Sequence, residues 1–402
     1  MIVQFYSAVN LLWILCNSAV INFCQFSLWL LVRPFDNALY RRLMGTNTNA
    51  SFVQSLWVDV ASSCFPEAKL VITGEVPTDT VRPAIIIANH QVDADWWYIW
   101  QGKHGEMGIV IAARAYKGAG NIKIVLKDQL KYVPIIGWGM RLFEFLFLRR
   151  SIDHDSVHIK AYMDSLIGDD YPFWLVIFPE GTTIHKEYVA KSQAFAEKLG
   201  RPKFERVLLP RTSGLQIILD AVGDVKPDIY DMTIAFPTYS GEVPTFEMGY
   251  GRKTDTDVPS MKSLLAGQGP NHVAIHSKKY SYEEATQDLE TFLDARWQEK
   301  EERLNFFIKN QKFPVKEEEE EVSVLSLPSS IMSVFKLWFA MTLSFFMLPV
   351  VMMSFFPLYT IWVVYCFVYS IYDRTTNFWW PYIFNLFLER AAKTRNGFKS
   401  KM

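Results

Sequence analysis

The sequence predicts an α/β protein, a mixed and largely parallel sheet flanked by helices, with an N-terminal membrane anchor and a C-terminal pair of transmembrane helices. Three observations carry that expectation. Short β-branched runs alternate with longer amphipathic stretches between Glu67 and Asn310, the pattern of strands whose two faces are covered by helices. The composition is 50% hydrophobic and 15% aromatic, heavy for a soluble enzyme, and the apolar excess gathers at the two ends of the 402-residue chain. Two buried-strand runs end in tight polar turns, at Asn89-His90 and at Pro179-Glu180-Gly181, where a base and the groups that orient it are expected.

Phe5 to Val32 is an almost uninterrupted apolar run, broken by Asn10, Asn17, Asn22, Gln25 and serines, and it exceeds the roughly 20 residues that span a bilayer. It has no basic start and no small-residue cleavage pattern, so it reads as a retained anchor. The asparagines leave two geometries open, a single span and a re-entrant pair of shorter helices in one leaflet. Arg33, Arg41 and Arg42 follow directly, and by the positive-inside rule they place the next domain in the cytosol. The amphipathic segment from Ala50 to Phe65 reads as a neck along the membrane.

Strands are expected at Lys69 to Thr73, Pro83 to Ala88, Lys123 to Leu126, Phe145 to Leu148, Phe173 to Phe178, Arg206 to Leu209, Met232 to Phe236 and Val273 to His276. Helices are expected at Asp153 to Ile167, Tyr188 to Leu199 and Tyr282 to Phe307. The acidic run Glu317 to Glu321, between Pro314 and Pro328, reads as a solvated linker. Ile331 to Tyr372 has Lys336 as its one charge before Tyr372 and prolines at 349 and 357, a length that suits two spans joined by a turn. The resulting organisation is an anchor (1–48), a catalytic domain (49–312), a linker (313–330), two spans (331–373) and a basic cytosolic tail (374–402).

Formal net charge is −1, so nothing global argues for nucleic acid. Cys16, Cys24, Cys64 and Cys366 lack metal spacing and read as reduced packing residues. There is no Gly-x-Ser-x-Gly for an acyl hydrolase, no phosphate-loop motif and no paired His or Cys spacing for zinc. His104, His154, His158, His185, His272 and His276 are scattered and read as packing or surface residues.

The chemistry concentrates in Asn89-His90-Gln91-Val92-Asp93-Ala94-Asp95-Trp96. An alcohol near neutral pH is a poor nucleophile and needs a base for its proton. His90 is the candidate base, and Asp95, five positions on, can reach one imidazole nitrogen from the first turn of a helix; Asp93 is a second candidate for orienting the site. In Phe178-Pro179-Glu180-Gly181-Thr182, proline stiffens the strand exit and glycine lets backbone amides approach a ligand.

Both motifs resemble those of the membrane glycerolipid acyltransferases, the family typified by 1-acyl-glycerol-3-phosphate acyltransferase, with its N-H-x-x-x-x-D and F-P-E-G-T signatures. The resemblance covers about residues 50 to 310, and it implies that fold, catalysis by a His90–Asp95 dyad without a covalent acyl-enzyme, and acyl-CoA as co-substrate with no metal or prosthetic group. It implies that Glu180, with Gly181 and Thr182, positions glycerol hydroxyls, and that Arg150, ending the strand of Glu144 to Arg150, grips the lysophospholipid phosphate, with Arg149 as its competitor. Leu148-Arg149-Arg150 departs from the acidic residue that many members carry before that arginine. In Ile122 to Pro134, Lys127 could add positive charge, and Lys131 reads as facing water. Val207-Leu208-Leu209-Pro210-Arg211 resembles the weaker fourth motif, an apolar strand ending in Pro210, with Arg211 available to phosphates of acyl-CoA or a lipid head group. Lys191 to Glu197 and Trp297 within Ala295 to Lys300 are similar to the eukaryotic subgroup of lysocardiolipin and lysophosphatidylinositol acyltransferases.

The expected activity is therefore acylation of an anionic lysophospholipid, lysophosphatidylinositol foremost and lysophosphatidic acid as the alternative, by a multi-pass protein of the endoplasmic reticulum membrane. A catalytically silent membrane scaffold of the same fold is the alternative of another class. The charge rule also predicts a topology: the sequon Asn49-Ala50-Ser51 stays unglycosylated, and protease added to sealed microsomes cuts near Glu317 to Glu321 and removes a C-terminal tag without detergent. A glycan on Asn49, or protection of either site, overturns that arrangement.

Overall fold

The computed structural model describes residues 2–45, 57, 60–61, 63–66, 68–77, 79, 81–100, 121–244, 257–315, 322–325 and 339. Asn49, the acidic run Glu317 to Glu321, the expected helix pair apart from Phe339, and the basic tail lie outside these residues, as do Cys366 and His104.

Strands β1 (Lys69–Gly74), β2 (Ala84–Ala88), β3 (Ile122–Lys127), β4 (Leu146–Leu148), β5 (Trp174–Ile177), β6 (Asp228–Ala235), β7 (His272–Tyr280) and β8 (Val322–Leu325) form one sheet in the order β4-β3-β5-β2-β6-β7-β1-β8. From β4 to β6 every pairing is parallel, β7 turns antiparallel to β6, and β1 runs parallel to β7. The central strands are apolar throughout because both faces are covered: Ile85, Ile86 and Ile87 of β2 are all buried. Alternation sends Ile85, Ile87, Leu175, Ile177 and Ile229 to one face, where they pack with helices Ile152–Gly168, Ser213–Ala221 and Leu289–Asn310.

Three expectations are corrected. Arg206 to Leu209 is not a strand: its amides go to side chains instead of a neighbouring ladder, Arg206 to Glu301 (2.8 Å), Leu208 to Glu180 (3.1 Å) and Leu209 to Ser192 (2.8 Å). The stretch from Tyr282 to Phe307 breaks at Asp288, whose side chain caps the longer helix by accepting Thr291 N–H at 3.1 Å. Val322–Leu325, inside the segment read as a linker, adds a strand antiparallel to β1.

The N-terminal run is one continuous helix, Ile2–Leu31, so the re-entrant pair is not what the chain forms. It is also the one helix among the described residues long and apolar enough to cross a membrane, by length and composition. Its polar residues are docking groups. Asn10 donates to Leu265 O (2.9 Å), Asn22 to Ile135 O (2.6 Å) and Gln25 to Gly139 O (3.2 Å), while Phe5, Val9, Leu12, Phe23 and Phe26 are exposed. Trp57, Val60 and Ala61 of the expected neck are buried, Trp57 against Trp96 and Trp97.

Helix Asn37–Gly45 carries Arg41, buried at 3% exposure, into an ionic joint with Glu144 (2.7 Å) and Asp169. Burial alone would raise Glu144, but Arg41 and Arg33 outweigh it and hold this carboxyl down to about 2. Two arginines that read as topology signals are thus engaged in ion pairs. Lys131, expected to face water, is likewise buried and pairs with Asp128.

Removing Arg41 takes the nearest cation from Glu144, which keeps only Arg33 at 3.2 Å, and the ion-pair partner from Asp169. Arg41→Ala should destabilise the protein by about 3–5 kcal/mol, while Arg42→Ala, at an exposed position of the same helix, should stay within about 0.5 kcal/mol. Thermal unfolding of the two variants side by side checks this.

Candidate active site

Strands β2 and β5 are parallel neighbours, paired from Ala84 with Trp174 to Ile87 with Ile177, so their C-terminal ends emerge together. Crevices outside such strand ends are where open α/β sheets bind ligands. The exit from β2 is stabilised by Asn89, whose buried side chain both donates to Ile234 O (3.1 Å) and accepts Ile234 N–H (2.8 Å). An amide thereby continues the ladder with β6, and the backbone is released to turn at His90.

Asp95 begins helix Asp95–Trp100 and is wholly buried. Its Oδ2 accepts the backbone N–H groups of Gln91 (2.7 Å) and Val92 (3.0 Å) and lies 2.9 Å from His90 Nδ1. Burial pushes the Asp95 carboxyl up, against the opposing pull of these hydrogen bonds and of His90. A carboxylate accepting from Nδ1–H leaves Nε2 as the basic nitrogen. The ring itself stacks on Phe178, centroids 4.3 Å apart and planes 23° from parallel, so the β5 exit supports the imidazole supplied by the β2 exit.

His90 opens onto a cavity of about 730 Å³. Lys127, Arg150, Arg211, Gly181 and Thr182 line it too, together with Asp93, and most of the remaining wall is apolar, including Ile124, Met140, Phe145, Ile177 and Leu215. Burial and then repulsion by Arg211 lower the pKa of Arg150; burial and then Arg150 lower that of Lys127. Such crowding of cations in a concave, mostly apolar site suits an amphipathic anion. Arg150 is held over the turn by donating from Nη2 to Gly181 O, and Gly181 itself adopts φ +75°, a region that glycine enters without strain.

Of the residues singled out in the sequence, His90, Arg150, Lys127, Gly181, Thr182 and Arg211 come together at the cavity, with Asp95 behind His90. Arg149 does not line it and turns toward Asp128, 3.9 Å away. Pro210 is buried outside the cavity, its carbonyl accepting from Arg201 at 3.3 Å. Glu180, expected to reach glycerol hydroxyls, is turned into the protein at 3% exposure and is also outside the cavity lining. It accepts the N–H groups of His90 (3.2 Å), Leu208 (3.1 Å) and Trp297 Nε1 (3.3 Å), so both of its oxygens are engaged with the protein. The supporting roles of Asn89, Phe178 and Trp297 escape sequence reasoning, since each depends on a contact between distant strands or helices.

A family model described as Acyltransferase matches residues 69–236, and another described as Acyltransferase C-terminus matches residues 263–338. Lysocardiolipin acyltransferase 1 from Mus musculus is 32% identical over 249 residues, covering 61% of this chain and 59% of that protein. The 1-acyl-sn-glycerol-3-phosphate acyltransferase 3 of Arabidopsis thaliana is 29% identical over 222 residues, covering 55% and 56%. The chain thus spans less than two thirds of the length of the curated relatives it matches, 56–59% for these two. The crystal structure of a 1-acyl-sn-glycerophosphate acyltransferase from Thermotoga maritima aligns over 75% of this chain and 98% of that one, at 14% identity and a TM-score of 0.36.

Burial raises the Glu180 carboxyl from 4.5 to about 8 against the opposing pull of its hydrogen bonds. A pKa raised on folding means that the native state holds a proton the unfolded chain releases. The associated stability is present below about pH 4.5 and is lost as pH rises through about 8. The stability of the wild-type protein relative to Glu180→Gln should therefore decline between pH 5 and pH 9, and thermal unfolding across that range measures it; a flat difference overturns the shift.

Proposed function

Because this chain belongs to the glycerolipid acyltransferase family, we propose that it transfers an acyl group from acyl-CoA to a free hydroxyl of a lysophospholipid. The observation that carries the reading is the His90–Asp95 pair, 2.9 Å apart, opening onto a mostly apolar cavity that also holds three cations. Nε2 of His90 takes the hydroxyl proton as the oxygen attacks the thioester carbonyl. The tetrahedral intermediate collapses by breaking the carbon–sulfur bond, and the proton on His90 passes to the departing thiolate, releasing free CoA and the new ester. Asp95 holds the imidazole by Nδ1 and stabilises the imidazolium between the two transfers. No covalent acyl-enzyme is needed, because the acceptor hydroxyl itself is the nucleophile.

Arg150, Lys127 and Arg211 favour an anionic acceptor, and the guanidinium of Arg150 can grip a phosphate through two parallel hydrogen bonds. Lysophosphatidylinositol is the acceptor favoured by the resemblance to the lysocardiolipin and lysophosphatidylinositol subgroup. Lysophosphatidic acid is the second reading, supported by the name of the plant relative. The outward apolar face of helix Ile2–Leu31 supports a bilayer position for both. Since Asn10, Asn22 and Gln25 tie that helix lengthwise to the folded domain, we infer that it lies in the membrane interface beside the domain, in the endoplasmic reticulum, instead of standing alone across the bilayer. At an interface, neither acyl chain has to be drawn through water.

His90→Ala should lower turnover by at least about a hundredfold while the protein still folds, the lower end of what general-base catalysis contributes. Near-normal transfer by that variant removes His90 as the base, and absence of transfer by the wild-type protein leaves a scaffold. In a panel of lysophospholipids, Arg150→Ala should weaken use of the anionic acceptors by about 1.5–3 kcal/mol, and Arg149→Ala should leave it nearly unchanged. The inverse pattern would assign the phosphate to Arg149.

A further inference from the structure

Glu180 is the one motif carboxylate that the proposed reaction does not employ. The turn Pro179-Glu180-Gly181 leaves β5 beside the cavity, and Pro179 and Gly181 line it, yet the side chain between them points the other way. Oε1 accepts His90 N–H at 3.2 Å and Trp297 Nε1–H at 3.3 Å, and Oε2 accepts Leu208 N–H at 3.1 Å. These donors come from three separate segments: the turn after β2, the irregular Val207 to Pro210, and helix Leu289–Asn310. Trp297 is fully buried, and one turn further along its helix the buried Lys300 pairs with Asp231 of β6 at 2.5 Å and donates to Met232 O, so the indole is presented from a fixed support.

We propose that Glu180 is a positioning residue that holds the His90 turn by its backbone N–H, and that Trp297 aims Glu180, so that helix Leu289–Asn310 sets the catalytic base without touching either substrate. The proposal deepens the acyl-transfer reading and rests on it. A carboxyl group suits the place because both of its oxygens can accept N–H groups, and here they meet three. A glutamine would turn its amide nitrogen toward one of those donors. A direct role with the acceptor fits poorly, because the side chain is turned away from the cavity and both of its oxygens already accept N–H groups of the protein. His90 Nε2, by contrast, is reached from its own backbone N–H through the Cα and two side-chain bonds before the ring. A small rotation of the turn therefore carries the basic nitrogen away from the hydroxyl, and misplacement near 1 Å is enough to slow a reaction severely.

Trp297→Phe tests this, since it keeps an aromatic ring in the core and removes the indole N–H. With the full-length enzyme in detergent, kcat should fall about tenfold, while KM for the lysophospholipid and for acyl-CoA stays within about twofold. Carbethoxylation of His90 by diethyl pyrocarbonate, followed by mass spectrometry of its peptide, should speed up at least about threefold as the turn loosens. Glu180→Gln should show the same split more strongly, and it carries the test if Trp297→Phe does not fold. A raised KM for the lysophospholipid at unchanged kcat would mean that Glu180 meets the acceptor, and would overturn the proposal. So would unchanged kinetics and labelling, or loss of folding in both variants, which would make the contact purely structural. His90→Ala separates the two levels: if it abolishes transfer while Trp297→Phe is fully active, the positioning role fails and the dyad mechanism stands, whereas an active His90→Ala removes the dyad mechanism on which the positioning role rests.

Discussion

One oxygen atom, Oδ2 of Asp95, organises the site. It accepts the amides of Gln91 and Val92 and meets Nδ1 of His90, so a single buried atom defines both the path of the turn and the direction of the imidazole. A buried carboxylate costs several kcal/mol in lost hydration, and hydrogen bonds to a charged group return about 1.5–3 kcal/mol each. Three of them return part of that cost, although burial still pushes the carboxyl up, and the balance holds only while the turn keeps its shape. The charge is stabilised by the geometry and the geometry by the charge. This coupling explains why the carboxylate must begin a helix: there the preceding turn aims its free amides at the side chain.

Glu180 repeats the device with the roles redistributed. Its acceptors gather amides from two segments far apart in sequence, at His90 and Leu208, and the indole of Trp297 from a third. Val207 to Pro210 therefore has no need of a strand partner, because side chains of Glu180 and Ser192 take its amides. The two motif carboxylates turn away from solvent, and the cations Lys127, Arg150 and Arg211 line the cavity. Carboxyl groups are thus spent inside the fold on shape, and positive charge is left where an anionic ligand can use it.

Most of the sheet was legible because buried strands announce themselves by β-branched runs. Seven of the eight expected runs, all but Arg206 to Leu209, became strands to within a few residues. Arg206 to Leu209 has the same composition and failed, since what it lacks is a neighbour and not a propensity. The edge strand Val322–Leu325 was hidden for the converse reason: adjoining five glutamates, it belongs to the sheet only because β1 offers an unpaired edge. In the site, spacing along the chain identified His90 and Asp95, five residues apart and joined by one turn. It could not orient Glu180, because whether a side chain leaves a turn toward the cavity or the core is decided by what lies on each side. Helix Leu289–Asn310, more than a hundred residues later, decides it here.

The N-terminal helix reverses the usual polarity of a surface helix, and the reversal ties the anchor to the cavity. Asparagines 10 and 22 and Gln25 face the protein and phenylalanines 5, 23 and 26 face outward, because carbonyls of the domain accept the amide side chains, those of Ile135 and Gly139 in addition to a backbone N–H, and the outer environment is proposed to be lipid. Two of those carbonyls, of Ile135 and Gly139, belong to the start and middle of helix Ile136–Leu142, whose Ile136 and Met140 reach the cavity wall. Ile135 has φ 65° and ψ −63°, a conformation that strains a β-branched residue, and the bond from Asn22 to its carbonyl supplies part of what holds it there. Gly139 is small because Asn22 lies against it, 2.7 Å from where a Cβ would stand. The wall of the proposed acyl site is therefore braced from behind by the same polar residues that interrupt the apolar run, and those interruptions belong to the cavity as much as to the anchor.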